Sequence, residues 1–162
     1  VAEAIASTLT QNGATTDVLP VQDINDLSAY DAVVAGSAIQ ASVWLPEAMT
    51  FLHTHQAQLT KKPFAAFFVC MTLAMPYESA RKQVPTFMQP VRDVVQPISE
   101  GYFAGILDID KIPQRQARWG FRVSTWFGAW KQGDHRDWKT VRAWAQEIYP
   151  LLTAKTEANK QE

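Results

Sequence analysis

Apolar positions along the chain switch between a helical and a strand period, and the switches mark its elements. Val1, Ile5 and Leu9, with alanines between them, read as an amphipathic helix stopped at Asn12-Gly13. Thr15 to Leu19 reads as a short strand ended by Pro20. After a turn at Asp26 to Ala29, the run Ala32 to Ala35 has no polar alternation. Such a run predicts a strand covered on both faces. Gly36-Ser37-Ala38 then forms a small-residue turn, and Pro46 marks the first turn of a helix predicted from Leu45 to about Leu59. Phe64 to Met71 is a second buried strand. Tyr77 to Val95 is helical in composition but interrupted by Pro85 and Pro90. Glu100 to Leu107 is a further strand, and Asp137 caps a last helix running to about Leu152.

Strands alternating with helices predict an α/β fold, with a parallel sheet covered on both faces by helices. The chain of 162 residues is expected to form a single domain over residues 1–153, with a polar tail at 154–162. Its formal charge of −1 gives no reason to expect nucleic acid, and it lacks the strongly acidic surface of a small electron carrier. One cysteine, Cys70, excludes an internal disulfide and suits a reducing, cytoplasmic setting. The longest nearly apolar run, Pro63 to Pro76, is shorter than the roughly 20 residues of a membrane span.

Catalytic signatures are sparse. No GxGxxG, Walker loop, GxSxG or metal-spaced Cys/His set occurs. His53 and His55 lie two apart on a helix, which is poor metal geometry and favours surface positions. Cys70 reads as a small buried residue ending a strand, and no metal is expected. Backbone approach by a flat ligand is plausible only where side chains are small, at Gly36, Ser37 and Ala38. Open α/β sheets bind ligands at the carboxyl ends of their strands, where this turn lies. A tight strand-to-helix connection without a ligand explains the same residues.

The block Tyr30-Asp31-x-Val33-Val34-x-Gly36-Ser37-Ala38-Ile39, followed by Trp44-Leu45-Pro46-Glu47-Ala48, resembles the third-strand region of flavodoxin-domain proteins. Lys62 to Val69 and Asp137-Trp138-x-x-Val141-Arg142-Ala143-Trp144-Ala145 follow in the same order. The nearest likeness is to the menaquinone-dependent protoporphyrinogen dehydrogenase branch. It implies a flavodoxin-like, doubly wound sheet of order 2-1-3-4-5 and FMN as cofactor. It implies an FMN-dependent oxidoreductase or electron-transfer domain, with a quinone or porphyrin as small-molecule partner. A pure electron carrier and an interaction module that has lost FMN are the rival expectations.

By the same resemblance, Ser37, Ala38, Ile39, Gln40, Ala41 and Trp44 form one flavin-facing loop, and Met71, Thr72, Leu73 and Ala74 a second. Gln40 and Ala41 stand where that branch often carries a tyrosine. Trp44 either replaces it or packs at the helix start. The resemblance also implies that a first strand and a Ser/Thr-rich phosphate loop precede Val1, so the chain is expected to be an amino-terminal truncation that binds FMN weakly or not at all.

Residues 108–136 form a basic, tryptophan-rich insertion before the last helix. Wound as a helix, Trp119, Trp126 and Trp130 share one stripe, with Arg115, Arg118 and Arg122 beside it. Packing on the domain, contact with an anionic membrane surface, and a pocket for a flat acidic substrate all fit this pattern.

Overall fold

The structure, a computed structural model, describes residues 1–108 and 132–159. Helix α1 (Ala2–Gln11) comes first, followed by an extended segment and a 3-10 turn at Val21–Asp23. Strand β1 (Val33–Gln40) turns tightly into β2 (Val43–Trp44), and helices α2 (Pro46–Thr54) and α3 (Gln56–Leu59) follow. Strand β3 (Phe64–Cys70) leads through a 3-10 turn at Met71–Ala74 to α4 (Glu78–Lys82). A second 3-10 turn at Val84–Met88, holding Pro85, and α5 (Gln89–Val94) precede β4 (Ser99–Ala104). The short strands β5 (Ile106–Leu107) and β6 (Gly133–Asp134) pair with each other, and α6 (Trp138–Asn159) closes the fold.

The main sheet has the order β2-β1-β3-β4, with β1, β3 and β4 parallel and level: Ala38 pairs with Val69, and Cys70 with Ala104. Side chains of β3 divide strictly between its two faces. Phe64, Ala66, Phe68 and Cys70 join the core with α2, α3 and α5, whereas Ala65 and Phe67 join the core with α1 and α6. Covered on both sides, a parallel strand has no use for polar alternation, which is why the sequence FAAFFVC is apolar throughout.

Several local expectations are met for visible reasons. Asp137 Oδ1 accepts hydrogen bonds from the backbone N–H of Lys139 and Thr140, so it caps α6. Pro85 and Pro90 each open a new helical segment and split the predicted helix. Gly13 ends α1 at a φ of +105°, a left-handed conformation that glycine adopts without strain.

Five expectations need correcting. Gly36 to Ala38 is not a turn but part of β1, paired in register with Phe67 to Val69, and the turn comes later, at Ala41 and Ser42. Thr15 to Leu19 is extended but belongs to no strand, because no strand among the described residues lies beside it to complete a ladder. The helix predicted from Leu45 to Leu59 breaks at His55, whose backbone leaves helical geometry. His55 is not a surface residue: it is 5% exposed, with Nδ1 on Gln58 Oε1 and Nε2 on the Ile24 carbonyl. The final helix continues past Leu152 to Asn159.

Candidate functional site

Because β1, β3 and β4 are parallel and level, the chain leaves all three at one edge of the sheet. From β1 emerges a two-residue hairpin turn, closed by pairing of Gln40 with Val43 and of Ile39 with Trp44. Its central residues, Ala41 and Ser42, both have positive φ, 51° and 67°. That is the type I′ geometry, whose twist matches the flanking strands and which strains residues other than Gly, Asn or Asp. From β3 emerges the Met71–Ala74 turn, braced where the Arg81 Nε donates to the Met75 carbonyl at 2.9 Å. From β4 emerges Gly105, where an added Cβ would lie 3.7 Å from the Met71 sulfur. The Gly105 carbonyl accepts from the His135 N–H at 3.0 Å, which draws the 133–136 turn to the same edge.

The two loops expected to face a flavin therefore lie side by side, but their residues do different work. Ser37 is 8% exposed, and its hydroxyl accepts from the Leu45 N–H while donating to the Ala38 carbonyl. It fastens the hairpin to the start of α2. Gly36 has no side chain because the Phe67 ring fills that space: an added Cβ would lie 2.1 Å from Phe67 Cζ. Open backbone is found instead at Ala38 and from Gln40 to Val43, all exposed, with Ile39 half-buried between them. Met71, Thr72, Leu73 and Ala74 are half-buried.

Trp44 is 2% exposed and meets the edge of Phe68 with ring centroids 6.5 Å apart. It is a core residue, and no face of it is open for ring stacking. Its indole N–H is buried without a hydrogen-bond partner among the described residues, a configuration that costs about 1–3 kcal/mol. Cys70 is buried as well, and burial pushes its thiol pKa up. An unreactive thiol follows. Arg115, Arg118, Trp119, Arg122, Trp126 and Trp130 lie outside the described residues.

Two features escaped the sequence reading. Tyr77, the residue before α4 at the end of the second loop, is 48% exposed and puts an aromatic ring within the same stretch of chain. Its signal was faint, because Pro76-Tyr77 reads simply as a helix start. The second is a polar triad across α5 and β4. Arg92 grips Glu100 with two nitrogens at 2.7 and 2.6 Å, and the Tyr102 hydroxyl donates to the same carboxylate. Arg92 holds the Glu100 carboxyl below its usual range. Burial, then the hydrogen bond to Glu100, push Tyr102 up to about 12. Glu100 and Tyr102 are two apart on a strand and so share a face, a period-two signal that was legible.

The segments Ala38 to Val43 and Met71 to Ala74 carry exposed or half-buried residues at this edge and offer backbone amides beside the apolar side chains of Ile39, Val43, Met71 and Leu73. Among the described residues no group of three His, Cys, Asp or Glu side chains is placed to hold a metal ion, and no helix is long and apolar enough to cross a membrane. Comparison with individually curated proteins gives no match. The flavodoxin domain signature matches residues 1–119, spanning α1 and all four strands of the main sheet. On that match, which agrees with the parallel β1-β3-β4 sheet and the loops at its carboxyl edge, the chain belongs to the flavodoxin domain family.

Proposed function

We propose that this domain binds FMN at the carboxyl edge of its sheet and transfers electrons between the flavin and a small-molecule partner. The observation that carries the reading is the convergence of the Ile39–Trp44 hairpin and the Met71–Ala74 turn at one edge of the sheet. FMN, when bound, supplies the redox chemistry, and the protein positions and tunes it. The backbone of Ala38, Gln40 and Ala41 on one side and of Thr72 to Ala74 on the other would hold the ring, with the exposed Tyr77 following the second loop in sequence. A turn preceding Val1 would supply the phosphate contacts.

The partner we favour is a quinone or a porphyrin of the protoporphyrinogen type, in a cytoplasmic protein that rests peripherally on the inner face of the membrane. Support comes from the sequence of residues 108–136, where Arg115, Arg118 and Arg122 accompany Trp119, Trp126 and Trp130. An unspecialised electron carrier needs no such segment. A non-catalytic flavodoxin-fold interaction module is the second reading, and the burial of Trp44 favours it, because the hairpin then offers no aromatic to the ring.

Flavin titration tests this. Charge-assisted phosphate contacts are among the stronger polar interactions, and lacking several weakens binding on the order of a thousandfold. Residues 1–162 alone are expected to bind FMN weakly, and the same chain with its native upstream sequence tightly. Absence of binding by the longer protein leaves the interaction module.

A further inference from the structure

Of the chain's three asparagines only Asn12 precedes a glycine; Asn25 precedes Asp26, and Asn159 precedes Lys160. Asn12-Gly13 also closes α1, and the closure is a Schellman motif. The Ala14 N–H donates to the Leu9 carbonyl at 3.1 Å, and the Gly13 N–H to the Thr10 carbonyl at 3.0 Å, with Gly13 at a φ of +105°. Leu9 is buried and Ala14 packs against the same core, which supplies the apolar contact that accompanies such a cap. The Asn12 side chain joins in, its Nδ2 donating to the Thr8 carbonyl at 2.8 Å. Asn12 and Gly13 are nevertheless both exposed to water. They carry the atoms of an intramolecular reaction: a deprotonated Gly13 nitrogen attacks the Asn12 side-chain carbonyl carbon, and glycine puts no Cβ in its path. The closed cap opposes that attack. It commits the Gly13 N–H to Thr10 and draws the Asn12 amide back toward Thr8.

We propose that Asn12 is a site of spontaneous deamidation, gated by opening of the α1 cap, and that conversion unlocks the cap for good. When the last turn opens, the Gly13 nitrogen bonds to Asn12 Cγ and the Cγ–Nδ2 bond breaks. Nδ2 leaves as ammonia, taking up the proton that Gly13 gave to solvent. Water then adds to either carbonyl of the five-membered imide, and the ring opens to aspartate or isoaspartate. Ammonia is exchanged for water, with no oxidant or reductant. Either product loses the donor to Thr8 and places a carboxylate at the carboxyl end of the helix, where the backbone carbonyls already make the potential negative. Isoaspartate also adds a methylene to the main chain, so the Gly13 and Ala14 bonds no longer both fit their carbonyls. Ile5 and Leu9 still anchor α1 to Phe67 and Ile148, so the fold persists while the end of the helix loosens.

The experiment needs no flavin, so its outcome is independent of the proposed function. The folded chain and a peptide spanning Thr8 to Asp17 are incubated side by side at mildly alkaline pH, which favours loss of the Gly13 proton. Peptide mapping by mass reads conversion, and enzymatic isoaspartyl methylation reads the isomer. Conversion is expected at Asn12 before Asn25 or Asn159, and about tenfold more slowly in the folded chain than in the peptide, since local opening must come first. In urea that unfolds the chain, the two rates should coincide. Asn12→Gln, which would have to close a six-membered ring, is expected to stay unconverted. The converted chain is separated by its added charge. Its Ala14 amide is expected to exchange about 100-fold faster than in the unconverted chain, with the Phe67 and Phe68 amides unchanged. Conversion first at another asparagine overturns the site. Equal rates in folded chain and peptide overturn the gating, and unchanged Ala14 exchange after conversion overturns the unlocking.

Discussion

The Phe67 ring lies over Gly36 so closely that a Cβ on Gly36 would sit 2.1 Å from Phe67 Cζ. Phe67 also meets Phe103 and Trp144 with centroids 6.0 Å away in each case, so it has nowhere to retreat. Gly36→Ala is therefore expected to destabilise the domain by about 1–3 kcal/mol, as overpacking does. Adding Phe67→Leu should recover part of that loss, since the two sites share one space. Urea unfolding of the single and double variants measures the coupling. Additive losses would mean that the ring is not the obstacle.

This contact shows what the sequence made legible and what it withheld. Gly36 in a run of small residues signalled close approach, and close approach is what occurs, but by a ring from the neighbouring strand. Strand pairing was readable because the apolar runs at Val33 and Phe64 lack polar alternation. The Thr15 to Leu19 strand was misread because local propensity says nothing about whether a ladder partner lies alongside. His55 was misread because pairing with the Ile24 carbonyl and Gln58 depends on a loop about thirty residues away in sequence. The two candidate loops were legible as strand ends, but the duties of Ser37 and Trp44 depend on the hairpin between them.

The hairpin stores backbone strain at Ala41 and Ser42. Replacing them with Asn and Gly, the pair that type I′ turns favour, is expected to stabilise the domain by about 1 kcal/mol. Thermal unfolding checks this. FMN titration of the same variant asks whether the strained turn also serves binding.

Trp44 offers a control on the flavin reading. Trp44→Phe keeps an aromatic ring beside Phe68 and removes the unpartnered indole N–H. Losing the buried donor offsets the smaller ring, so stability is expected to change by less than about 1 kcal/mol. FMN affinity should be unaffected. A large fall in affinity with unchanged stability would show that the indole reaches the ligand.

The Arg92, Glu100 and Tyr102 triad sets a pH window. Glu100 ionises below its usual range in the folded state, so its stabilisation is present above the unfolded carboxylate range and is lost as pH falls through the depressed value. Tyr102 is shifted the other way: its contribution is present below the unfolded phenol value and disappears as pH rises through about 12. Glu100→Gln should therefore flatten the acid limb of stability against pH while leaving Arg92 with a weaker partner. Tyr102→Phe should flatten the alkaline limb. Denaturant unfolding between pH 3 and 12 reads both, on the order of 1 kcal/mol each. An acid limb unchanged in Glu100→Gln would assign the loss to other carboxylates.

The basic, tryptophan-rich segment separates packing from surface function by the sign of two results. If Trp126 is core, Trp126→Ala should cost about 3–5 kcal/mol, and changing Arg115, Arg118 and Arg122 together to Gln should be mild. If the segment meets an anionic membrane or a porphyrin, the arginine change should abolish association and leave the unfolding midpoint nearly intact. Each arginine near an anionic surface contributes roughly 1 kcal/mol, so three removed charges weaken binding on the order of a hundredfold. Exposed charges are screened over about 8 Å at physiological ionic strength, so binding to phosphatidylserine vesicles should fall steeply with salt. Co-sedimentation with such vesicles and titration with protoporphyrin, at low and high salt, decide between the two ligands. A large stability loss at Trp126 with no binding to either assigns the segment to packing and removes the reason for preferring a quinone or porphyrin partner over a plain electron carrier.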